Sequence, residues 1–126
     1  FDILHPGHVG LLVNAKKNGD RLIVGLNGDK SVTKLKGNKR PVLNQFDRSV
    51  VLSALEAVDA IIIFDDDTPI KIIEELRPDV LIKGSDYKLE DIVGSKEVKS
   101  YGGEVKTIPL LQGHSTTNIL KKFESP

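Results

Sequence analysis

The segment Phe1-Asp2-Ile3-Leu4-His5-Pro6-Gly7-His8 places two histidines three residues apart around a Pro-Gly pair. Proline suits the first turn of a helix, where its missing N–H costs no hydrogen bond, and glycine lets the backbone approach a ligand because it has no Cβ. A helix that begins near His8 would turn its free N–H groups and the positive end of its dipole toward both imidazoles. The segment therefore predicts an anion site at the start of a helix, and phosphate is the usual anion of such sites.

Two other interpretations of the histidine pair stay open. Histidines beside a Pro-Gly turn are often ordinary surface residues. A zinc site is disfavoured because the chain has no cysteine and no His-Glu-x-x-His helix, and only His114 is left as a third imidazole. The acidic run Asp65-Asp66-Asp67 is more typical of a solvated helix start than of a metal site.

Composition excludes several classes of protein. The 126 residues suit one domain, 1–126, that is large enough to bury a core. The 18 basic residues balance the 18 acidic ones, so neither nucleic acid nor an anionic membrane is an expected partner. The absence of cysteine excludes disulfides and thiol catalysis. No apolar run approaches the roughly 20 residues of a membrane span and no signal peptide is visible, so we expect a cytoplasmic protein.

Short apolar runs alternate with amphipathic segments along the chain. We expect helices over 9–18, 44–57, 68–76, 94–101 and 116–123, and strands over 21–26, 60–64, 80–82 and 105–108. Asn44 and Thr68 are the expected N-caps of two of these helices. Residues 27–41 predict a long mobile loop, because they hold five basic residues and glycines at 28 and 37.

This alternation predicts an α/β fold with a Rossmann-like, doubly wound parallel sheet. Ligands bind such sheets beyond the carboxyl ends of the strands. The segments expected to gather at that edge are 1–8, 27–41, 65–68, 83–87 and 109–117.

A second motif, Ser115-Thr116-Thr117-Asn118-Ile119, opens the last predicted helix. By itself it predicts either an ordinary N-cap or a phosphate site, since serine and threonine favour helix starts anyway. HPGH at 5–8 matches the His-x-Gly-His signature of the nucleotidyltransferase superfamily, and 115–119 is similar to its Ser-Thr-Thr-like turn. The two motifs stand in the right order and at about the right separation, so nearly the whole chain resembles this superfamily.

Further stretches resemble the bacterial heptose 1-phosphate adenylyltransferases, which make ADP-heptose for lipopolysaccharide. They are 1–5, 35–37, 40–41, 55–59, 67–69, 83–87, 94–98, 102–105 and 115–119. The resemblance implies a sheet of about five strands whose first, central strand precedes Phe1. Because the chain does not begin with methionine, we expect that strand to be missing from this sequence. A homodimer and a fusion or pairing with a sugar kinase are the partnerships that the resemblance implies.

The resemblance also implies a reaction. A phosphate oxygen of a sugar 1-phosphate would attack the α-phosphorus of ATP and release pyrophosphate. The implied catalytic residues, which would stabilise charge on the phosphates, are His5, His8 and Lys36. The implied nucleotide- and phosphate-binding residues are Phe1, Gly7, Arg48, Lys83, Gly84, Asp86, Ser115, Thr116 and Thr117. Asp2, Asn27 and Asp29 would bind the acceptor, and Mg²⁺ would arrive with the triphosphate rather than at a protein metal site.

Alternatives to this assignment stay open. A glycerol-3-phosphate cytidylyltransferase is disfavoured because 111–114 lacks the arginine of that family. His114 is a departure from the heptose 1-phosphate adenylyltransferases, in which a small residue or cysteine is more familiar at this position. An FAD synthetase-like enzyme shares both signatures. A nucleotide-binding module without catalysis is the alternative from another class, and the two intact histidines argue against it. The base, the acceptor sugar and its anomer are not decided by the sequence.

Overall fold

The computed structural model describes residues 1–84 and 88–124, in which helices and short parallel strands alternate. The strands are β1 (Ile23–Asn27), β2 (Ala60–Phe64), β3 (Val80–Lys83) and β4 (Glu104–Thr107). The α-helices are α1 (Pro6–Lys16), α2 (Asp29–Lys36), α3 (Gln45–Ser53), α4 (Ile70–Leu76), α5 (Ser95–Ser100) and α6 (Thr116–Glu124), and Leu89–Asp91 forms a 3₁₀ turn. The predicted α/β class is confirmed, and all four predicted strands form within one or two residues of their expected bounds.

The strands lie in two parallel pairs. β1 pairs with β2, with Ile23 opposite Ala60 and Asn27 opposite Phe64, and β3 pairs with β4, with Val80 opposite Glu104. The sequence predicted a single sheet. In the described part of the chain no strand pairs with both β1 and β3, so the parallel strands form two small sheets.

Each sheet has its own apolar cluster. Leu12, Val24, Leu26 and Leu52 form the cluster beside β1 and β2, with Phe1 and Leu4 packed against it. Ile73, Ile92, Val98 and Val105 form the cluster beside β3 and β4. Because α1 contributes Leu12 to the first cluster, burial of that helix also fixes the His-Pro-Gly-His segment at its start.

The predicted loop over 27–41 was wrong in its first half, where α2 forms. Asp29 lies in the first turn of α2 and Lys34 and Lys36 in the last, so each charge complements the helix dipole. Gly37 ends the helix with φ of 98°, a left-handed value that favours glycine. The charged residues that led the sequence analysis to predict a solvated loop therefore lie on a helix, with the acidic residue at its start and the basic residues at its end.

Other helix boundaries also differ from the prediction, and one N-cap is confirmed. Helix α1 begins at Pro6, three residues before the predicted start, and ends at Lys16 rather than at residue 18. The Asn44 side chain accepts a hydrogen bond from the Asp47 N–H at 2.8 Å, as expected of an N-cap. Helix α3 ends at Ser53 rather than near residue 57, and α4 begins after Pro69 without a side-chain cap from Thr68. Among the residues that the structure describes, no helix has the length and apolar character to cross a membrane.

Truncation of Leu52 should test the first apolar cluster. Leu52 is 0% exposed, so Leu52→Ala should lower the free energy of unfolding by about 2–5 kcal/mol through lost burial and a cavity. The matched control is Leu35→Ala, at a side chain that is 64% exposed, where a change within about 0.5 kcal/mol is expected. Urea unfolding of both variants measures the difference, and equal stabilities would contradict the assignment of Leu52 to the core.

Candidate functional site

His5 caps the first turn of α1 with its own ring. Its Nδ1 accepts a hydrogen bond from the Gly7 N–H at 3.1 Å. In a neutral imidazole one nitrogen accepts and the other carries the proton, so the proton of His5 belongs on Nε2. The cap therefore fixes both the orientation of the ring and the nitrogen that can donate to a ligand.

Position 7 accommodates only glycine, because the His5 ring lies directly beside its Cα. A Cβ added at Gly7 would lie 2.8 Å from His5 Cε1 and 2.9 Å from His5 Nδ1, distances that real Cβ atoms essentially never show. Any side chain at this position would push the His5 ring out of its cap. Gly7 is itself buried, and the His-x-Gly-His spacing thus has a steric cause.

His8 lies between two aromatic neighbours. Its ring stacks on His5 with 3.8 Å between centroids and lies 5.0 Å from the Phe1 ring. Its Nδ1 is buried and has no hydrogen-bond partner within residues 1–84 and 88–124. Burial lowers the pKa of His8 to about 4, so the imidazole is neutral at physiological pH. A buried polar atom without a partner is unusual in a native protein and is a candidate contact for a ligand.

The start of α6 lies beside the start of α1. The Thr116 hydroxyl donates a hydrogen bond to the Ile3 carbonyl at 3.3 Å, and Thr116 is buried. Ser115 Oγ accepts from the Asn118 N–H at 2.9 Å and caps α6, while Thr117 is exposed. The two motifs from opposite ends of the sequence therefore place two helix N-termini next to each other, and both carry the partial positive charge that attracts anions.

Cationic side chains surround the same end of the molecule. Three cations lie near Phe1 at the start of the chain. They are Arg48, Arg40 and Lys36. Lys36 stands exposed in the last turn of α2. Positive charge is therefore present near the candidate phosphate site, although Arg40 and Arg48 are each paired with a carboxylate.

Asp2 holds the segment after α2 against the start of the chain. Its Oδ2 accepts from Arg40 Nε at 2.9 Å and from the Val42 N–H at 2.8 Å, and its Oδ1 accepts from the Leu43 N–H at 2.8 Å. The residue is 5% exposed. The resemblance implied that Asp2 binds the acceptor, whereas in the structure its carboxylate is occupied by these three donors.

Arg48 forms a second set of buried contacts. It donates to the Leu43 carbonyl at 3.0 Å, to the Asn27 carbonyl at 2.7 Å and to Asp29 Oδ1 at 2.8 Å. Its side chain is 2% exposed. Arg48 thus connects the end of β1 to the segment before α3, and three of its five N–H donors point at protein rather than at open space.

Asn27 and Asp29 stand at the carboxyl end of β1, where ligands bind such sheets. The Asn27 amide donates to Ser31 Oγ at 3.0 Å, and the carboxylate of Asp29 is 41% exposed although one of its oxygens contacts Arg48. Of these two predicted acceptor-binding residues, Asp29 therefore keeps the more accessible polar group.

The predicted nucleoside-binding loop is described in part. The Lys83 carbonyl ends β3 and accepts from the Ile108 N–H at 3.1 Å. A Cβ added at Gly84 would lie 2.7 Å from a Leu11 methyl carbon, so glycine allows α1 to approach this strand end. Asp86 lies outside the described residues.

Within residues 1–84 and 88–124 no three His, Asp or Glu side chains are grouped to hold a metal ion. Asp67, in the acidic run after β2, contacts Lys34 at 2.6 Å.

Sequence reasoning missed two contacts that shape the site. The Asp2–Arg40 ion pair joins residues 38 positions apart, and no local pattern announces it. His114, which the sequence offered only as a third imidazole, has its ring centroid 6.5 Å from that of His5. Its position directly before the Ser-Thr-Thr turn was the signal that could have identified it.

Loss of the Asp2 charge should destabilise the protein. In Asp2→Asn, one carboxylate oxygen becomes an N–H₂ group, which cannot accept the hydrogen bonds that the carboxylate now accepts. We therefore expect the free energy of unfolding to fall by about 1–3 kcal/mol. Asp66→Asn removes the same charge from an exposed position and should change stability by under about 0.5 kcal/mol. Urea unfolding measures the free energy of unfolding of both variants. Equal losses in the two variants would contradict a stabilising role for the buried contacts of Asp2.

The buried His8 should make stability depend on pH between about 4 and 6.5. In this window the unfolded chain binds a proton at His8, whereas the buried imidazole of the folded protein stays neutral. The free energy of unfolding should therefore fall as the pH falls from 6.5 toward 4. His8→Asn removes this titration and should give a shallower pH dependence. Thermal unfolding at half-unit pH steps measures both slopes, and parallel curves would contradict a lowered pKa of His8.

Comparison with known proteins agrees with this geometry. A family described as cytidylyltransferase-like matches residues 1–122. The chain is 55% identical over 125 residues to the bifunctional protein HldE of Methylobacillus flagellatus and 56% identical over 124 residues to that of Cronobacter sakazakii. These alignments cover 99% and 98% of this chain but 26% of each relative, so the chain spans about a quarter of the curated relatives it matches.

A solved structure has the same fold. The crystal structure of a lipopolysaccharide core biosynthesis protein from Thermoplasma volcanium superposes with a TM-score of 0.70 and 30% identity, over 90% of this chain and 92% of that one. With the two signature motifs side by side at the helix starts, and with a family match over nearly its whole length, the chain belongs to the cytidylyltransferase-like family of nucleotidyltransferases.

Proposed function

We propose that this chain transfers the adenylyl group of ATP to a heptose 1-phosphate, giving an ADP-sugar and pyrophosphate. The observation that carries the proposal is the contact between Thr116 and the Ile3 carbonyl, which joins the N-termini of α1 and α6. Two adjacent helix N-termini with imidazoles between them suit a chain of phosphates better than a single anion.

The proposed reaction needs alignment and charge neutralisation rather than a covalent intermediate. A phosphate oxygen of the sugar forms the new bond to the α-phosphorus while the bond to the bridging oxygen of pyrophosphate breaks. His5 Nε2, whose orientation is fixed by the cap to Gly7, donates a hydrogen bond to the phosphate oxygens. His8 is the second donor in this proposal, and its neutral state leaves one ring N–H available.

The remaining predicted residues keep supporting roles in the proposal. Lys36 neutralises charge on the phosphates from the end of α2, and Ser115 and Thr117 offer hydroxyl and N–H groups at the start of α6. Asp29 is the acceptor-side residue with the most accessible carboxylate. Mg²⁺ is proposed to arrive on the triphosphate, and no step is assigned to it.

The choice of a heptose phosphate rests on relatives. The relatives that are about 55% identical are bifunctional proteins, and the solved structure with the same fold is that of a lipopolysaccharide core biosynthesis protein. Both agree with the resemblance to ADP-heptose-forming enzymes, and partnership with a sugar kinase is proposed on the same ground. The cytoplasmic location and the homodimer stay predictions.

CTP with glycerol 3-phosphate is the second candidate pair. The family description names cytidylyltransferases, which favours CTP as the second candidate nucleotide. Both pairs use the same phosphate chemistry, and only the substrates separate them.

Pyrophosphate release by the intact protein tests the proposal. ATP and CTP are each combined with heptose 1-phosphate and with glycerol 3-phosphate, and release is expected with ATP and heptose 1-phosphate. His5→Ala and His8→Ala should each lower the rate about 10²–10³-fold, as expected when a donor to the transition state is lost. Lys71→Ala, at an exposed position on α4, is the control and should keep the rate.

The other outcomes are equally informative. Release with CTP and glycerol 3-phosphate would overturn the substrate assignment and keep the mechanism. Nucleotide binding without release from any pair would overturn the enzymatic proposal in favour of a binding module. Full activity in both histidine variants would contradict the proposed roles of the two imidazoles.

A further inference from the structure

His114 stands on the turn between β4 and α6, directly over the first turn of α1. Its Cβ lies 3.4 Å from the position that a Cβ on Gly7 would take. Its ring centroid is 6.5 Å from that of His5, and the two ring planes are inclined by 23°. The turn therefore presents a third imidazole to the site formed by His5 and His8.

The backbone on both sides of His114 is fixed. Gly113 has φ of 80°, a left-handed value that favours glycine and turns the chain toward α1. The Asn118 amide donates to the Gly113 carbonyl at 3.4 Å. On the other side, Thr116 is held by the Ile3 carbonyl. His114 thus lies between two residues that each take part in a hydrogen bond with α6 or with the start of the chain.

The ring itself is available to a ligand. His114 is exposed, and within the described part of the chain its nitrogens make no hydrogen bond. After burial, His114 is the main cause that lowers the pKa of His5. The two imidazoles are therefore close enough to interact electrostatically.

We propose that His114 is a further binding residue of this site, whose imidazole donates a hydrogen bond to the β- or γ-phosphate of the bound nucleoside triphosphate. The proposal rests on the proposed function, because it needs a triphosphate whose terminal part leaves as pyrophosphate. His114 adjoins the Ser115 cap of α6, whereas the candidate acceptor residues Asn27 and Asp29 stand at the end of β1. Because the proposed function places Ser115 at the leaving phosphates, its neighbour His114 is assigned to those phosphates rather than to the sugar phosphate.

Calorimetric titration of the intact protein with inorganic pyrophosphate, ATP and AMP tests this assignment. His114→Phe keeps a planar ring without a donor and should weaken binding of pyrophosphate and ATP about 10-fold, the effect of one lost hydrogen bond to a charged group. AMP has no β- or γ-phosphate, so its affinity should not change. His114→Asn keeps an N–H donor and should recover part of the loss.

Gln112→Ala is the matched control, at an exposed residue of the same turn, and should bind all three ligands as the unsubstituted protein does. Equal pyrophosphate affinity in His114→Phe and the unsubstituted protein would overturn the inference while the proposed function stands. A loss that is as large for AMP as for ATP would overturn it too, because it would indicate a structural role. Failure of the unsubstituted protein to bind either ATP or pyrophosphate would overturn both proposals.

Discussion

The buried carboxylate of Asp2 is the interaction that joins the basic segment after α2 to the start of the chain. Burial by itself would raise the pKa of this carboxyl, but hydrogen bonds from Leu43, Val42 and Arg40 outweigh burial and lower it. The group is therefore charged when buried, which is tolerated only because every donor around it is aimed at its oxygens. Through these contacts Asp2 fixes the backbone that leads from the site to α3.

Arg48 extends the same buried polar network to β1. Its three hydrogen bonds reach the Leu43 carbonyl, the Asn27 carbonyl and the Asp29 carboxylate, so one guanidinium positions both the loop and the strand end. The planar fork of arginine suits this task, because its donors leave in fixed directions. This buried network therefore joins the start of the chain, through Asp2, to the segment before α3 and to the end of β1.

Local patterns in the sequence predicted elements well where a local cause operates. The four strands follow from short apolar runs, and the Asn44 cap follows from a side chain that bonds the backbone three residues later. The prediction over 27–41 was wrong because the local pattern there is ambiguous. Lysines spaced for the last turn of a helix look the same as a solvated basic loop until the register is known, and only packing fixes the register of α2. Thr68 is not the cap because α4 begins one residue later than predicted, at Ile70, which leaves Pro69 in the N-cap position.

The sequence by itself determined the family, the α/β class and the two motifs, because each depends on residues close together in the chain. Gly7 and His5 lie two positions apart, so their steric fit could be anticipated from the motif alone. Only the tertiary structure decided that Asp2 meets Arg40, that Arg48 is buried and that His114 faces His5. Asp2 and Arg40 are 38 positions apart, Arg48 and Asn27 are 21 apart, and His114 and His5 are 109 apart, so no local pattern encodes these contacts. The first two depend on burial of matched charges and donors, and the third depends on how the turn before α6 packs on α1.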